Sequence, residues 1–468
     1  MEKQVYNPYL PSYEYIPDGE PYVFDGRLYV YGSHDVFGSM RYCSDEYILW
    51  SADENDLSSW TCHGTVYRRE QDPMHTANSN HLHAPDVALG IDGKYYLYYP
   101  NPYYIGVAVS DKPCGPFEFY GRVSYPDGTP YGMGAASKNI RPISADDPAI
   151  LVDEGRIWLY TGYVPSNPQT RSECEAAKRR YEGAFCVELE KDMLTVKGEP
   201  GLIAPGKGLG NGTSFEGNEF FEASGIRKIN GTYYFVYSSH RSHDLCYATS
   251  KYPDRDFVYR GVLVSCIDGG ISPFPASIPC NTHGNLVSIK NKWYIFYHRS
   301  SGSKFARQGC AEEIKMLSNG SFMQAEITSC GLNGKPLSAA GYYSAHIACN
   351  LLSDGEHGSP FFTQDGADGD ECPQYVSGIT QGCRIGYKYF DFSGEPLQLT
   401  VTLRGEAEGR LEIFTDQACV DPIAILRIEK SKLPTRLTAD ICTSKGKLPL
   451  FFTFTGTGSI DLFGFEFK

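Results

Sequence analysis

Residues 18–33 read DGEPYVFDGRLYVYGS, an acidic leader followed by two short apolar runs hinged on Asp25-Gly26. Alternating Tyr, Val, Phe and Leu suit a half-buried pleated surface. A two-residue Asp-Gly turn, with positive φ at both positions, matches the natural twist of a hairpin. The pattern returns four times: DVALGIDGKYYLYYP at 86–100, DPAILVDEGRIWLYTG at 147–162, EASGIRKINGTYYFVYSS at 222–239 and HGNLVSIKNKWYIFYHR at 283–299. The leaders Asp18, Asp86, Asp147, Glu222 and His283 are separated by 68, 61, 75 and 61 residues. A hairpin recurring at that interval, with room for further strands, is the signature of a propeller blade. GVAVSD (106–111) and LCYATS (245–250) read as third strands of their blades. Five copies predict a five-bladed β-propeller over residues 1–320. The interval is longer than a WD-repeat blade and no GH…WD pattern accompanies it. Helix is scarce, and SECEAAKRRYEG (172–183) reads as a short helix inserted on the propeller face.

Past residue 320 the repeat stops. Residues 321–345 read as a connector. From 346 to 468, short alternating strands such as CRIGYKYFDF, LQLTVTLRG, RLEIFTD and IDLFGFEF predict a β-sandwich of jelly-roll type. The expected fold class is therefore all-β, in two domains.

Composition narrows the function classes. Among 468 residues, 42 are basic and 56 acidic, a net charge of −14 that disfavours nucleic acid and anionic membrane surfaces as partners. No run approaches the roughly 18 apolar residues of a membrane span, and MEKQVYNPYLPSYEY carries no apolar signal region. The 15 cysteines form no C-x-x-C pair, so they read as free thiols of a reducing cytosol, and the expected location is cytoplasmic.

A propeller gathers equivalent positions of its blades around one axis, so the five leaders are expected to converge. Converging carboxylates push their pKa values apart, which lets one site hold an acid and a base at neutral pH. NPYLPSYEYIPDGEPYVFDGRLYVYGSHD, HAPDVALGIDGKYYLYY, DDPAILVDEGRIWLYTG, FFEASGIRKINGTYYFVYSS and THGNLVSIKNKWYIFYH together resemble glycoside hydrolase family 43, five-bladed propellers that include exo-acting pentosidases. The resemblance implies Asp18 as general base, Asp147 as modulator of the acid's pKa, and Glu222 as general acid. PDGEP leaves Glu20 as a rival to Asp18; the spacing to Gly26, equal to that from Asp147 to Gly155, favours Asp18. Glu216 carries a literal Glu-Gly pair, but Glu222 holds the blade-equivalent offset.

The resemblance further implies inverting hydrolysis, in which the two carboxyls stand roughly 6.5–9.5 Å apart with a water between them. It implies sugar contacts from Asp35 and Arg307, and His283 near the axis as ligand of a possible Ca²⁺ or an ordered water. Asp86, kept from the second-blade motif as His83-Ala84-Pro85-Asp86, joins the expected substrate-binding set. Phe221, with Phe220 and Trp293, is read as a stacking platform for a sugar ring. His81 and His83 form a weak H-x-H zinc pattern. SGITQGCRIGYKYFDF (377–392) resembles the family 6 carbohydrate-binding modules, with a packing role favoured over sugar binding. The expected activity is removal of terminal α-L-arabinofuranosyl or β-D-xylosyl units from oligosaccharides, with no cofactor required for the chemistry. Alternatives are a β-D-galactofuranosidase, a glycoside phosphorylase, or a non-catalytic sugar-binding propeller.

Overall fold

A computed structural model describes residues 3–75, 81–101, 104–135, 139–265, 267–269, 271, 281–302, 305–394 and 398–468. Five antiparallel sheets follow one another along the chain, four of four strands and the last of three. Their first strands are Glu20–Phe24, Asp86–Leu89, Ala149–Asp153, Phe220–Ile229 and Leu286–Ile289. Each pairs with the aromatic strand that the sequence places directly after it. Four of the five hairpins close on two residues. Asp25-Gly26, Glu154-Gly155, Asn230-Gly231 and Lys290-Asn291 all carry φ between 47° and 75° at both positions, the geometry that right-handed strand twist demands. In the second blade Leu89 pairs with Tyr95, so the turn around Asp92-Gly93 is longer. The third strands Tyr104–Ser110 and Leu245–Ser250 stand where the sequence puts them. Tyr, Phe, Val, Ile and Leu from neighbouring sheets interleave into buried clusters between blades.

The ring closes between the first and last blades. Gly19 bridges Gly284 in parallel, and the N-terminal segment tapes onto the outer side of the fifth sheet. Tyr9 N–H donates to the Gly309 carbonyl at 3.4 Å, and the Asn7 side chain exchanges hydrogen bonds with the Ala311 backbone at 3.0 and 2.9 Å. At the axis the inner strands approach closely. A Cβ on Gly225 would stand 2.5 Å from Asn285 Nδ2, so only glycine lets the fourth blade reach the fifth. The inserted helix spans Pro168–Ala176, capped by Asn167 accepting from Thr170 N–H at 2.8 Å. It lies earlier than the expected 172–183 because the Asn-Pro pair starts it, Asn capping and Pro entering the first turn.

The rest of the chain builds two six-stranded sheets facing one another over a single apolar core. The stretch expected as connector supplies strands of its own. Leu337–Ser338 pairs with Arg384–Asp391, and Gly341–Ser344 with Ile460–Phe467. The two parts are bonded through buried charge. Lys388 Nζ donates to Asp268 at 2.9 Å and to Glu326 at 3.0 Å, and Arg299 donates to the carbonyls of Ala348 and His346 at 2.8 and 2.7 Å.

Candidate active site

Asp18 and Asp147 both sit two residues ahead of an inner strand with φ of 58° and 45°. A non-glycine residue in that region is strained, and here the strain is that of an acidic side chain turned off the strand end. Glu222 reaches the same place by another device. The register of the fourth blade's inner strand slips on either side of Glu222, and Ala223 carries φ 66°; such bulges re-aim side chains. All three carboxyls line one cavity of about 240 Å³ at the centre of the propeller. Asp146 and the rings of Tyr42 and Tyr163 line it too, as do His83, His283 and Arg307.

The carboxyls differ in what surrounds them. Asp18 is buried, which alone would raise its pKa. Arg307 donates to its Oδ1 at 2.9 Å, Ser33 donates to its Oδ2 at 2.6 Å, and His298 and His283 stand 3.3 and 3.9 Å from Oδ1. Together these hold Asp18 well below the ordinary carboxylate range. Arg307 is itself clamped by Asp35, which accepts from Nε at 2.8 Å and from Nη2 at 3.0 Å, a forked geometry that fixes the guanidinium plane.

On the other side of the cavity the acids face one another: Asp146, Asp147 and Glu222 share its wall. Burial, then the charges of Asp18 and Asp146, push Asp147 up to about 8, although Ala223 N–H donates to its Oδ2 at 2.9 Å. Glu222 is raised well above the usual range by burial, then by Asp147 and Asp18. The imidazoles do not offset this. Burial pulls His83, His283 and His298 each down to about 4, so they are neutral at pH 7. One cavity thus holds a carboxyl drawn down, Asp18, and a carboxyl pushed up, Glu222, the division of labour that acid–base chemistry needs.

The sequence profile of glycosyl hydrolases family 43 matches residues 22–322. The chain belongs to this family. Over 99% of its length and 99% of the other's, this family 43 hydrolase is 44% identical to a xylosidase/arabinosidase of Thermoclostridium stercorarium. A family 43 β-xylosidase/α-arabinofuranosidase from a compost metagenome, solved with xylotriose in a calcium-free form, matches at TM-score 0.53 and 27% identity, over 68% of this chain and 96% of that one. The family 43 arabinoxylan arabinofuranohydrolase of Bacillus subtilis, solved with cellotetraose, shares the fold at TM-score 0.51 and 23% identity, over 99% of this chain and 97% of its own.

Below the cavity the hydrolase carries its own cation. Arg227 reaches across the axis and donates to Glu20 Oε2 at 2.9 Å, to Tyr22 Oη at 3.1 Å and to the carbonyls of Pro21 and Leu286 at 3.0 Å. Asn285 donates to the same carboxylate at 3.0 Å. Glu20 therefore points at Arg227 and Asn285 and is absent from the cavity wall, which leaves Asp18 as the carboxylate that faces it. Burial still lifts Glu20 to about 8, with the Asp86 charge adding to it against Arg227. As a calcium shell this region does not fit. His283 has Asp18 and Glu20 oxygens 3.9 Å from its two nitrogens, but both carboxylates are engaged by arginines, and calcium takes six to eight oxygens. The triplet of potential ligand side chains among the described residues, Asp354, Glu356 and His357, is exposed and outside the cavity lining.

Four expectations about placement need correcting. Asp35 is fully buried behind Arg307, its oxygens used by that guanidinium and by the N–H groups of Arg307 and Cys43. Asp86 is likewise buried, accepting from Tyr22 Oη at 2.7 Å and from the N–H groups of Val87 and Ile150 at 2.7 and 2.8 Å. It ties the second blade to the third instead of facing sugar. Phe221 stands behind the wall with its ring 5.7 Å from Tyr163, and Tyr163 is the ring that faces the cavity. Trp293 packs on Phe322 within the fifth blade, and Phe220 is core. The H-x-H pair splits: His81 turns to Asp45 at 2.6 Å while His83 lines the cavity. Sequence reading missed Tyr42, Tyr163, Asp146 and His298. Only Asp146, doubled with Asp147 in the Asp-Asp-Pro run, left a trace in the sequence.

Proposed function

We propose that this family 43 hydrolase removes single terminal α-L-arabinofuranosyl or β-D-xylosyl units from oligosaccharides, with inversion at the anomeric carbon. The observation that carries the reading is the pairing, in one small cavity, of Asp18, held low by Arg307 and Ser33, with Glu222, pushed up by burial and neighbouring acids. Glu222 gives its proton to the leaving glycosidic oxygen. Asp18 takes a proton from the water that attacks the opposite face. As the leaving oxygen accepts its proton, negative charge moves onto Glu222, and Asp147 sets how readily that happens. A cavity near 240 Å³ is below the roughly 300–1,000 Å³ of drug-sized sites and suits one sugar ring, as exo action requires. The names borne by the similar xylosidase/arabinosidase and β-xylosidase/α-arabinofuranosidase support the two glycones.

Phosphorolysis is less well served. Among the described lining residues Arg307 is the fixed cation, and Asp18 and Asp35 already engage it. No step of the hydrolysis is routed through calcium. No described helix is long and apolar enough to cross a membrane, and the 13 described cysteines are all free thiols, which supports a reducing, cytoplasmic setting. The test is release of 4-nitrophenol from the α-L-arabinofuranoside, β-D-xyloside, β-D-galactofuranoside and β-D-galactoside, with NMR of the first-formed sugar anomer. Turnover of either pentoside with inverted product is expected. Silence on both pentosides, or a retained anomer, would reject the proposal.

A further inference from the structure

Beyond the wall of the catalytic cavity lies an open groove of about 620 Å³, formed by the inserted helix and the loops after it. Arg141, Arg171, Lys178, Arg179 and Lys207 line it, against two acids. Such a cationic surface stands out on a chain of net charge −14. Part of it is already neutralised, since Arg141 Nη2 donates to Glu182 at 2.8 Å. Lys178 and Lys207 are exposed, and among the described residues their side-chain ammonium groups are engaged in no hydrogen bond or ion pair.

Two points join this groove to the catalytic cavity. Tyr163 lines the cavity and its neighbour Val164 lines the groove, and Arg179 of the groove acts electrostatically on Asp146 of the cavity. Between them the Phe221 ring packs on His240 and His243 at 5.0 and 4.7 Å. His240 Nε2 and His243 Nδ1 are buried without a hydrogen-bond partner, and Lys207 and Arg171 both act on His240. A cavity that holds one sugar ring leaves the leaving-group portion of an oligosaccharide outside it, and the groove adjoins that cavity through the neighbours Tyr163 and Val164.

From this arrangement we propose that the groove binds the carboxylate of a uronic acid substituent on the leaving-group portion of the substrate, so that acid-bearing pentose oligosaccharides are preferred over neutral ones. The inference rests on the hydrolase reading above and adds a substrate class to it. A carboxylate is ionised at neutral pH and pairs with ammonium and guanidinium groups.

The experiment measures binding in the Asp18→Asn background, where turnover does not interfere. Xylotriose and xylotriose carrying one glucuronic acid on its middle residue are titrated by calorimetry at low and at moderate salt. The acid-bearing sugar is expected to bind about tenfold more tightly at low salt, with the advantage shrinking as salt rises. Lys178→Ala/Lys207→Ala should erase the ratio, and Lys178→Glu/Lys207→Glu should invert it. Equal affinities, or a ratio untouched by either double variant, would overturn the proposal. So would inorganic phosphate matching free glucuronate as a competitor, since that describes a general anion site. Failure of the aryl glycoside panel would instead strike the pentosidase reading, and the affinity ratio would still be read.

Discussion

Replacing Asp18 by Asn separates the two carboxylates that the sequence leaves in competition for the role of base. The change keeps the side-chain volume and removes the negative charge. Arg307 keeps its two-pronged hold on Asp35 at 2.8 and 3.0 Å, so the guanidinium is not stranded. What is lost to the fold is the 2.9 Å bond from Arg307 and the charge-assisted 2.6 Å bond from Ser33, roughly 1.5–3 kcal/mol for a hydrogen bond to a charged group. What is lost to the reaction is the acceptor for the water's proton. General-base catalysis contributes about 10²–10⁴ in rate, so turnover is expected to fall about a thousandfold, or about 4 kcal/mol on the barrier. Glu20→Gln should cost less than tenfold, because Glu20 bonds to Arg227 and Asn285 and not to the cavity. The assay is kcat on the preferred 4-nitrophenyl glycoside for both variants, with circular dichroism to confirm folding. Asp18→Asn retaining more than a tenth of wild-type turnover, while Glu20→Gln abolishes it, would refute the reasoning.

Because Asp18 is held below the ordinary carboxylate range and Glu222 above it, the wild-type rate should hold as pH falls through the ordinary carboxylate range. It should fall as rising pH removes the Glu222 proton, and a rate that rises through pH 5–7 would contradict this. Glu222→Gln should remove the alkaline fall and slow xylobiose or arabinobiose far more than a 4-nitrophenyl glycoside, whose leaving group needs little protonation; equal losses on both would argue against Glu222 as the acid. Arg227→Met leaves Glu20 and Asp86 buried without their cation, at a cost of about 3–5 kcal/mol, so the urea midpoint should drop, whereas EDTA should alter neither the midpoint nor the rate by as much as tenfold. Lys388→Met breaks the buried bonds to Asp268 and Glu326 that link sandwich to propeller; two separated unfolding transitions in calorimetry are expected, and one unshifted transition would count against it.

The sequence by itself determined the blades. Turn pairs such as Asp25-Gly26 and Asn230-Gly231 dictate a two-residue hairpin through their φ preference, and alternating aromatics need only their immediate partner strand. These are local interactions, legible within some 16 residues. The same repeat pointed to Asp18, Asp147 and Glu222, since equivalent blade positions must meet near the axis. Which way a side chain turns after it arrives was decided by tertiary structure alone. Asp86 leads its strand like Asp18, yet it faces Ile150 N–H and Tyr22, while Asp18, at positive φ, faces the cavity. Glu20 lies two residues from Asp18 and is drawn away by Arg227, 207 residues along the chain. Asp35 and Arg307, 272 residues apart, become one clamp. Charges in a low-dielectric interior take partners from whichever blades the ring brings beside them, and no local pattern records those partners.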